Sequence, residues 1–233
     1  FLFRFALFQT YAHPAAGMPR GMGRAFFFPG RIRRAKEAQL DKDTRLQKEG
    51  CLLEISFLLW IQENLRSPFL DWLFPLITFL GNRGIVWLGI GALLLISPQY
   101  RRWGYALLAS LAVTALLGEW ALKPLVARPR PFVEHAGMEL LIPPPASFSF
   151  PSGHSASSFA AATVLAKCRR GWAFPAFLLA ALMAFSRLYL FVHYPTDVLS
   201  GASLGILCAL LVCWLFRRFG ELTPVKPARK KAP

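Results

Sequence analysis

Lys123 and Arg130 are each followed by proline and stand just past a long apolar run, 103–122, while Arg187 falls near the end of another, 172–191. Three cationic donors at one spot suit a phosphate group and the charge that spreads over its oxygens in a transition state. Ser152 and Gly153 open a further apolar run within "PSGH" (151–154). Serine is a good N-cap, glycine permits close backbone approach, and the N–H groups of a helix start form an anion site. Pro195, favoured in a first helical turn, aims a second helix N-terminus the same way. His193 precedes Asp197 by four residues. A carboxylate there can accept from one ring nitrogen and leave the other to attack phosphorus. His154 is then the general acid that protonates the leaving oxygen. No set of acidic metal ligands accompanies these groups, so the expected reaction is metal-independent and uses no cofactor.

Each group alone has a plainer reading. A histidine at the end of a membrane span is commonly an interfacial one with its bonds satisfied. Lys123 and Arg130 could be snorkelling anchors, "PSGH" could be only a helix start, and Arg187 could pair with Asp197 structurally. It is their joint appearance that argues for a site.

The elements that must position these residues are membrane helices. The chain has 233 residues, 55% of them hydrophobic and only 17% charged. The charges cluster in Arg20–Lys48 and Arg217–Lys231, leaving long stretches nearly without any. That segregation favours an integral membrane protein over a soluble one. The net charge of +15 follows the positive-inside rule for cytoplasmic flanks, so no nucleic-acid partner is expected. Cys51, Cys168, Cys208 and Cys213 have no zinc-site spacing and are expected to be reduced or buried thiols.

Apolar runs fall at 84–97, 103–122, 154–166, 172–191 and 198–216. The third stretch of the site, "SRLYLFVHYPTD" (186–197), closes one run and opens the next. Arg101-Arg102, "KCRR" (167–170) and "RR" (217–218) mark cytoplasmic ends, which puts 123–153 and 192–197 together on the extracytoplasmic face. The count is six if residues 51–83 cross once and five if 52–65 lies in the interface. Three regions are expected: a basic, poorly ordered arm over 1–50, a membrane domain over 51–218 and a basic cytoplasmic tail over 219–233. Three features lie beside the main constellation. Glu119, four residues before Lys123, is expected to position it. Arg128 is expected to meet a lipid headgroup, with a second phosphate as the alternative. The apolar connector 132–150 is expected to dip into the outer leaflet or to lid the bundle.

The three stretches resemble the signature of the type 2 phosphatidate phosphatase superfamily of membrane lipid phosphatases. Lys123, Arg130 and Pro131 match its first part, Pro151–His154 its second, and Ser186, Arg187, His193 and Asp197 its third. The resemblance covers about residues 51–218. It implies an all-helical polytopic membrane bundle, here of five to six spans, with an extracytoplasmic site. It further implies attack by His193 to give a phosphohistidine, orientation of His193 by Asp197, and proton donation by His154. Lys123, Arg130, Ser152, Gly153, His154 and Arg187 would contact the phosphate. Soluble vanadate-dependent haloperoxidases share the constellation, but the apolar spans argue against that branch. The expected partners are the bilayer and a membrane lipid phosphate, undecaprenyl diphosphate first. Phosphatidate, phosphatidylglycerol phosphate and diacylglycerol pyrophosphate are alternatives, and a lipid or anion transporter without catalysis is the reading from another class.

Overall fold

A computed structural model of the chain describes residues 49–135, 137–219 and 222. The expected arm over 1–50 and tail over 219–233 lie almost wholly outside the described residues. Leu58–Pro233 forms one compact unit that holds every residue of the site, and the unit before it is described only as helix over 49–57.

Among the described residues the secondary structure is helical throughout, as the all-α expectation required. Helix α1 covers 49–64, with Leu58 and Ile61 buried and Glu63 and Asn64 exposed on its second half. Helix α2 (Pro68–Gly81) starts where the Ser67 hydroxyl accepts from the Leu70 N–H and Pro68 fills the first helical turn. Arg83 (φ 52°) and Gly84 (φ 70°) then turn the chain into α3 (Ile85–Ile96). Helix α4 (Arg101–Ala115) continues through a π-helical turn, Leu116–Leu122, into α5 (Lys123–Val126). A short α6 (Pro131–Glu134) follows, then α7 (Gly153–Cys168), α8 (Ala173–Tyr189) and α9 (Pro195–Arg218).

Helix α7 is the hub, packed against α4, α8 and α9. Its buried residues are mostly small, including Ser155, Ala156, Ser158, Ala160, Ala161 and Ala162. Gly201 and Gly205 of α9 lie against its backbone. A Cβ on Gly201 would collide with the Ser152 carbonyl, and one on Gly205 with the Ala156 carbonyl. Small residues four apart let membrane helices approach in this way. The seam also brings two helix starts together, because the Ser152 N–H donates to the Asp197 carbonyl at 3.0 Å.

Among the described residues, four segments are long and apolar enough to cross a membrane: Pro68–Ile96, Arg101–Glu134, Arg170–Tyr189 and Pro195–Arg218. The protein is therefore multi-pass, but the expected five to six spans are corrected to four that qualify by length and composition. Two expected crossings fall short for physical reasons. The second half of α1 is amphipathic, and α7 has 16 residues, about 24 Å of helix against a hydrocarbon core of about 30 Å. Cys168, Cys208 and Cys213 are buried and free, as expected of thiols with no ligand spacing.

Candidate active site

The loop "SFS" (147–149), just ahead of α7, ties the site together. Arg130 reaches across it and donates from Nε to the Ser147 carbonyl at 2.7 Å and from Nη2 to the Phe148 carbonyl at 3.2 Å. The Ser147 hydroxyl lies 3.2 Å from both Arg130 Nη2 and Lys123 Nζ, so one serine joins two of the expected phosphate-binding cations. Arg130 Nη1 donates to the Val192 carbonyl at 2.8 Å and lies 3.2 Å from His193 Nε2. A guanidinium can only donate, so Nε2 carries the lone pair and the imidazole proton sits on Nδ1.

That proton faces Asp197, whose Oδ2 is 3.5 Å from His193 Nδ1. Asp197 is fully buried, and its carboxylate is held from several sides. Oδ2 accepts from the Tyr194 N–H at 2.9 Å and from the Ser149 hydroxyl, and the same hydroxyl lies 3.4 Å from His193 Nδ1. Oδ1 accepts from Arg128 Nη1 at 2.8 Å. Arg128 also donates to Thr196 at 2.7 Å and stacks 3.8 Å above the Tyr194 ring. Its expected role at a lipid headgroup is thus corrected: the guanidinium is the counter-ion of a buried carboxylate. Tyr194 donates in turn to Glu134 of the connector.

His193 is 2% exposed. Burial pushes its imidazole down to about 3; the Asp197 contact opposes this, and the Arg130 and Arg187 charges add to it. The ring is therefore neutral across the ordinary pH range, with a free electron pair on Nε2. Backbone at positive φ occurs beside the site in two stretches, at Ala127 (47°), just before Arg128, and at Phe191 (57°), two residues before His193. Non-glycine residues held there are a known mark of functional turns.

Lys123 and Glu119 form the expected pair, Nζ to Oε2 at 2.7 Å, with Lys123 buried. The π-helical turn carries Glu119 to the start of α7, where a Cβ on Gly153 would strike its carboxylate. Ser152 behaves as the expected N-cap: its hydroxyl accepts from the Ser155 N–H at 3.4 Å and the Ser155 hydroxyl at 3.0 Å. Arg187 is buried and donates from Nη1 to the Thr78 hydroxyl, while its Nε has no hydrogen-bond partner. A buried guanidinium with a donor to spare is a site for an anionic oxygen. The His154 ring nitrogen Nε2 turns toward α2, 3.2 Å from the Thr78 carbonyl and 3.1 Å from Asn82 Oδ1. Direct contact thus joins Arg130, His193 and Asp197, and Ser147 adds Lys123. His154 and Arg187 are linked to each other through Thr78.

Ser147, Ser149 and Thr78 were not singled out by spacing alone. The two serines alternate in an extended segment directly before "PSGH", a period that puts both on one face. Thr78 had no signal, since it lies in an apolar helix far along the chain from the groups it meets.

The chain is similar to several known proteins. The chain is 36% identical over 133 residues to the undecaprenyl-diphosphatase of Sulfolobus acidocaldarius and 36% identical over 94 residues to undecaprenyl-diphosphatase BcrC of Bacillus subtilis. These matches cover 56% and 40% of this chain, and it spans only 64% and 46% of the two relatives. The transmembrane PAP2 type phosphatidylglycerolphosphate phosphatase of Bacillus subtilis superposes with a TM-score of 0.62 at 28% identity, over 73% of this chain and 87% of that one. The model of the PAP2 superfamily matches residues 103–221, which run from α4 through α9 and include all eight expected site residues. The chain belongs to the PAP2 superfamily.

Proposed function

We propose that this protein is a membrane lipid phosphatase that works through a phosphohistidine, without a metal, on a headgroup exposed at the extracytoplasmic face. The observation that carries the reading is the contact of Arg130 Nη1 with His193 Nε2, beside a buried Arg187 that keeps one donor unpaired. The nucleophile and two phosphate-binding cations thus lie at one place. His193 Nε2 attacks phosphorus, the bond from phosphorus to the leaving oxygen breaks, and His154 gives that oxygen a proton. Asp197 accepts the Nδ1 proton's hydrogen bond and steadies the positive charge that forms on the ring, as carboxylates do beside catalytic histidines. Water then attacks the phosphohistidine, the nitrogen–phosphorus bond breaks, and His154 takes up the proton that water loses. Lys123, Arg130, Arg187 and the N–H groups at the start of α7, around Ser152 and Gly153, hold the phosphoryl oxygens through both steps.

Undecaprenyl diphosphate is the first candidate substrate, because relatives named for that activity match this chain and an extracytoplasmic site suits the recycling of such a carrier. The test is phosphate release from undecaprenyl diphosphate, phosphatidylglycerol phosphate and phosphatidate in detergent with EDTA present. Activity should persist in EDTA, yield to vanadate, and vanish in His193→Ala. Brief quenching with radiolabelled substrate should leave an acid-labile, base-stable label on the wild type. Activity surviving in His193→Ala would sink the covalent route, and no release from any of the three lipids would favour a transporter.

A further inference from the structure

We infer that the C-terminal turn of α2, through Thr78, Gly81 and Asn82, is a positioning device for the general acid His154. This segment lies outside residues 103–221, which the family model matches. The inference rests on the acid role proposed above for His154, but its geometric half stands independently of catalysis.

Three observations carry it. First, His154 Nε2 lies 3.2 Å from the Thr78 carbonyl and 3.1 Å from Asn82 Oδ1. A backbone carbonyl can only accept, so Nε2 must carry a proton. Asn82 then has to present its oxygen and not its amide nitrogen, which assigns its side chain as well. With Nε2–H anchored by two acceptors, Nδ1 is the nitrogen left to exchange a proton: it must first be protonated, making the ring an imidazolium, and then gives that proton to the leaving oxygen. Second, Gly81 lies against the ring, and a Cβ there would fall 2.6 Å from His154 Cδ2. Any larger residue would push the imidazole from its place. Third, the Thr78 hydroxyl accepts from Arg187 Nη1, so the same residue that holds the acid also holds a phosphate-binding guanidinium. One helical turn therefore sets the distance between proton donor and phosphoryl group.

The arrangement parallels that at the nucleophile, with a different chemical purpose. Asp197 is a charged acceptor suited to the positive charge of a phosphohistidine. Thr78 and Asn82 are neutral acceptors, which fix Nε2–H of His154 without a carboxylate's pull toward the charged ring. An acid must release its Nδ1 proton during the reaction, and neutral partners at Nε2 do not hold the ring in its charged form.

Asn82 is exposed and caps the end of α2 through its backbone N–H, so its side chain can be changed without emptying the core. Asn82→Ala should lower kcat/KM, which reads only the steps up to the phosphohistidine, about tenfold on an alkyl phosphate monoester, the worth of one hydrogen bond to a reacting group. On p-nitrophenyl phosphate, whose leaving group needs no proton, kcat/KM of the same variant should stay within twofold of wild type. Asn82→Asp keeps the acceptor and should retain alkyl phosphatase activity above the alanine variant. Equal losses in kcat/KM on both substrates, or no loss on either, would overturn the inference. Nitrogen-15 NMR of labelled histidine in detergent gives a second reading that needs no turnover. His154 should show protonated Nε2 in the wild type, assigned by the loss of its signals in His154→Gln, and mixed tautomers in Asn82→Ala. A locked tautomer in a protein that hydrolyses nothing would refute the phosphatase reading and leave the positioning intact. Mixed tautomers in an active wild type would do the reverse.

Discussion

Arg130 Nη1 and His193 Nε2 stand 3.2 Å apart, so a guanidinium of the site donates to the electron pair of the proposed nucleophile. Attack on phosphorus requires that bond to open, and a phosphoryl oxygen is the acceptor that takes its place. The same guanidinium donates to the carbonyls of Ser147, Phe148 and Val192, which keeps it in the plane of the site while one donor changes partner. Lysine has the charge but not the fork. Arg130→Lys should therefore reduce kcat by about 10²-fold or more, in line with losing a preorganised donor, and lower the thermal midpoint too. Steady-state kinetics with a lipid phosphate read it directly, and a kcat within threefold of wild type would remove Arg130 from the reacting centre.

Asp197 is the most enclosed charge in the site, and Arg128 is its partner. Removing one member of a buried pair leaves the other uncompensated, at a cost of about 3 kcal/mol. Arg128→Ala should lower stability on that scale and also loosen the orientation of His193. Arg128→Lys should recover part of the stability and less of the activity. If Arg128 served a lipid headgroup instead, Arg128→Ala would raise KM with no loss of thermal midpoint, which denaturation in detergent can distinguish.

Glu119 relieves the charge of a buried lysine at 2.7 Å and lies against the start of α7. Glu119→Gln keeps the size and removes the charge. Lys123 then loses its counter-ion, and activity should fall about tenfold with a modest loss of stability. Unchanged activity and stability in this variant would mean that Lys123 needs no positioning.

How far the chain's own pattern reached can be judged from these residues. His193 and Asp197 share a helix start, Lys123 and Glu119 share a helical face, and Ser152 caps the run that follows it. Such relations are local, and spacing alone exposes them. Ser149, Arg128 and Thr78 are different, since each meets its partner across at least 48 positions of chain. Nothing in their own neighbourhood says which buried group they will satisfy, and that depends on how the helices pack. Helix identity followed the same rule. The apolar runs predicted α3, α4, α7, α8 and α9 closely, because burial and length act within a segment. The number of qualifying spans was not predicted, because the short α7 is accommodated by close packing of small residues against Gly201 and Gly205. That seam depends on two helices at once.

The low position of His193 has a consequence for pH. An unfolded histidine takes up a proton near 6.5, whereas the buried ring stays neutral to about 3. Between those values the unfolded chain binds one more proton than the folded one, so stability must fall as pH drops through the window. The sign is the opposite of a histidine that gains a carboxylate partner in the open. The slope from this one group approaches about 1.4 kcal/mol per pH unit. His193→Gln should flatten it, which thermal denaturation in detergent between pH 7 and 4 can measure against the wild type. Catalysis carries the second half of the prediction. With the nucleophile already neutral, kcat/KM should show no loss near pH 6.5 that belongs to His193, and any acid limb there must come from the substrate or another group. Replacing the substrate phosphate by one of different acidity should move such a limb. A limb that stays at 6.5 with every substrate would show that His193 titrates as an exposed imidazole does, and that the burial seen here does not govern its proton.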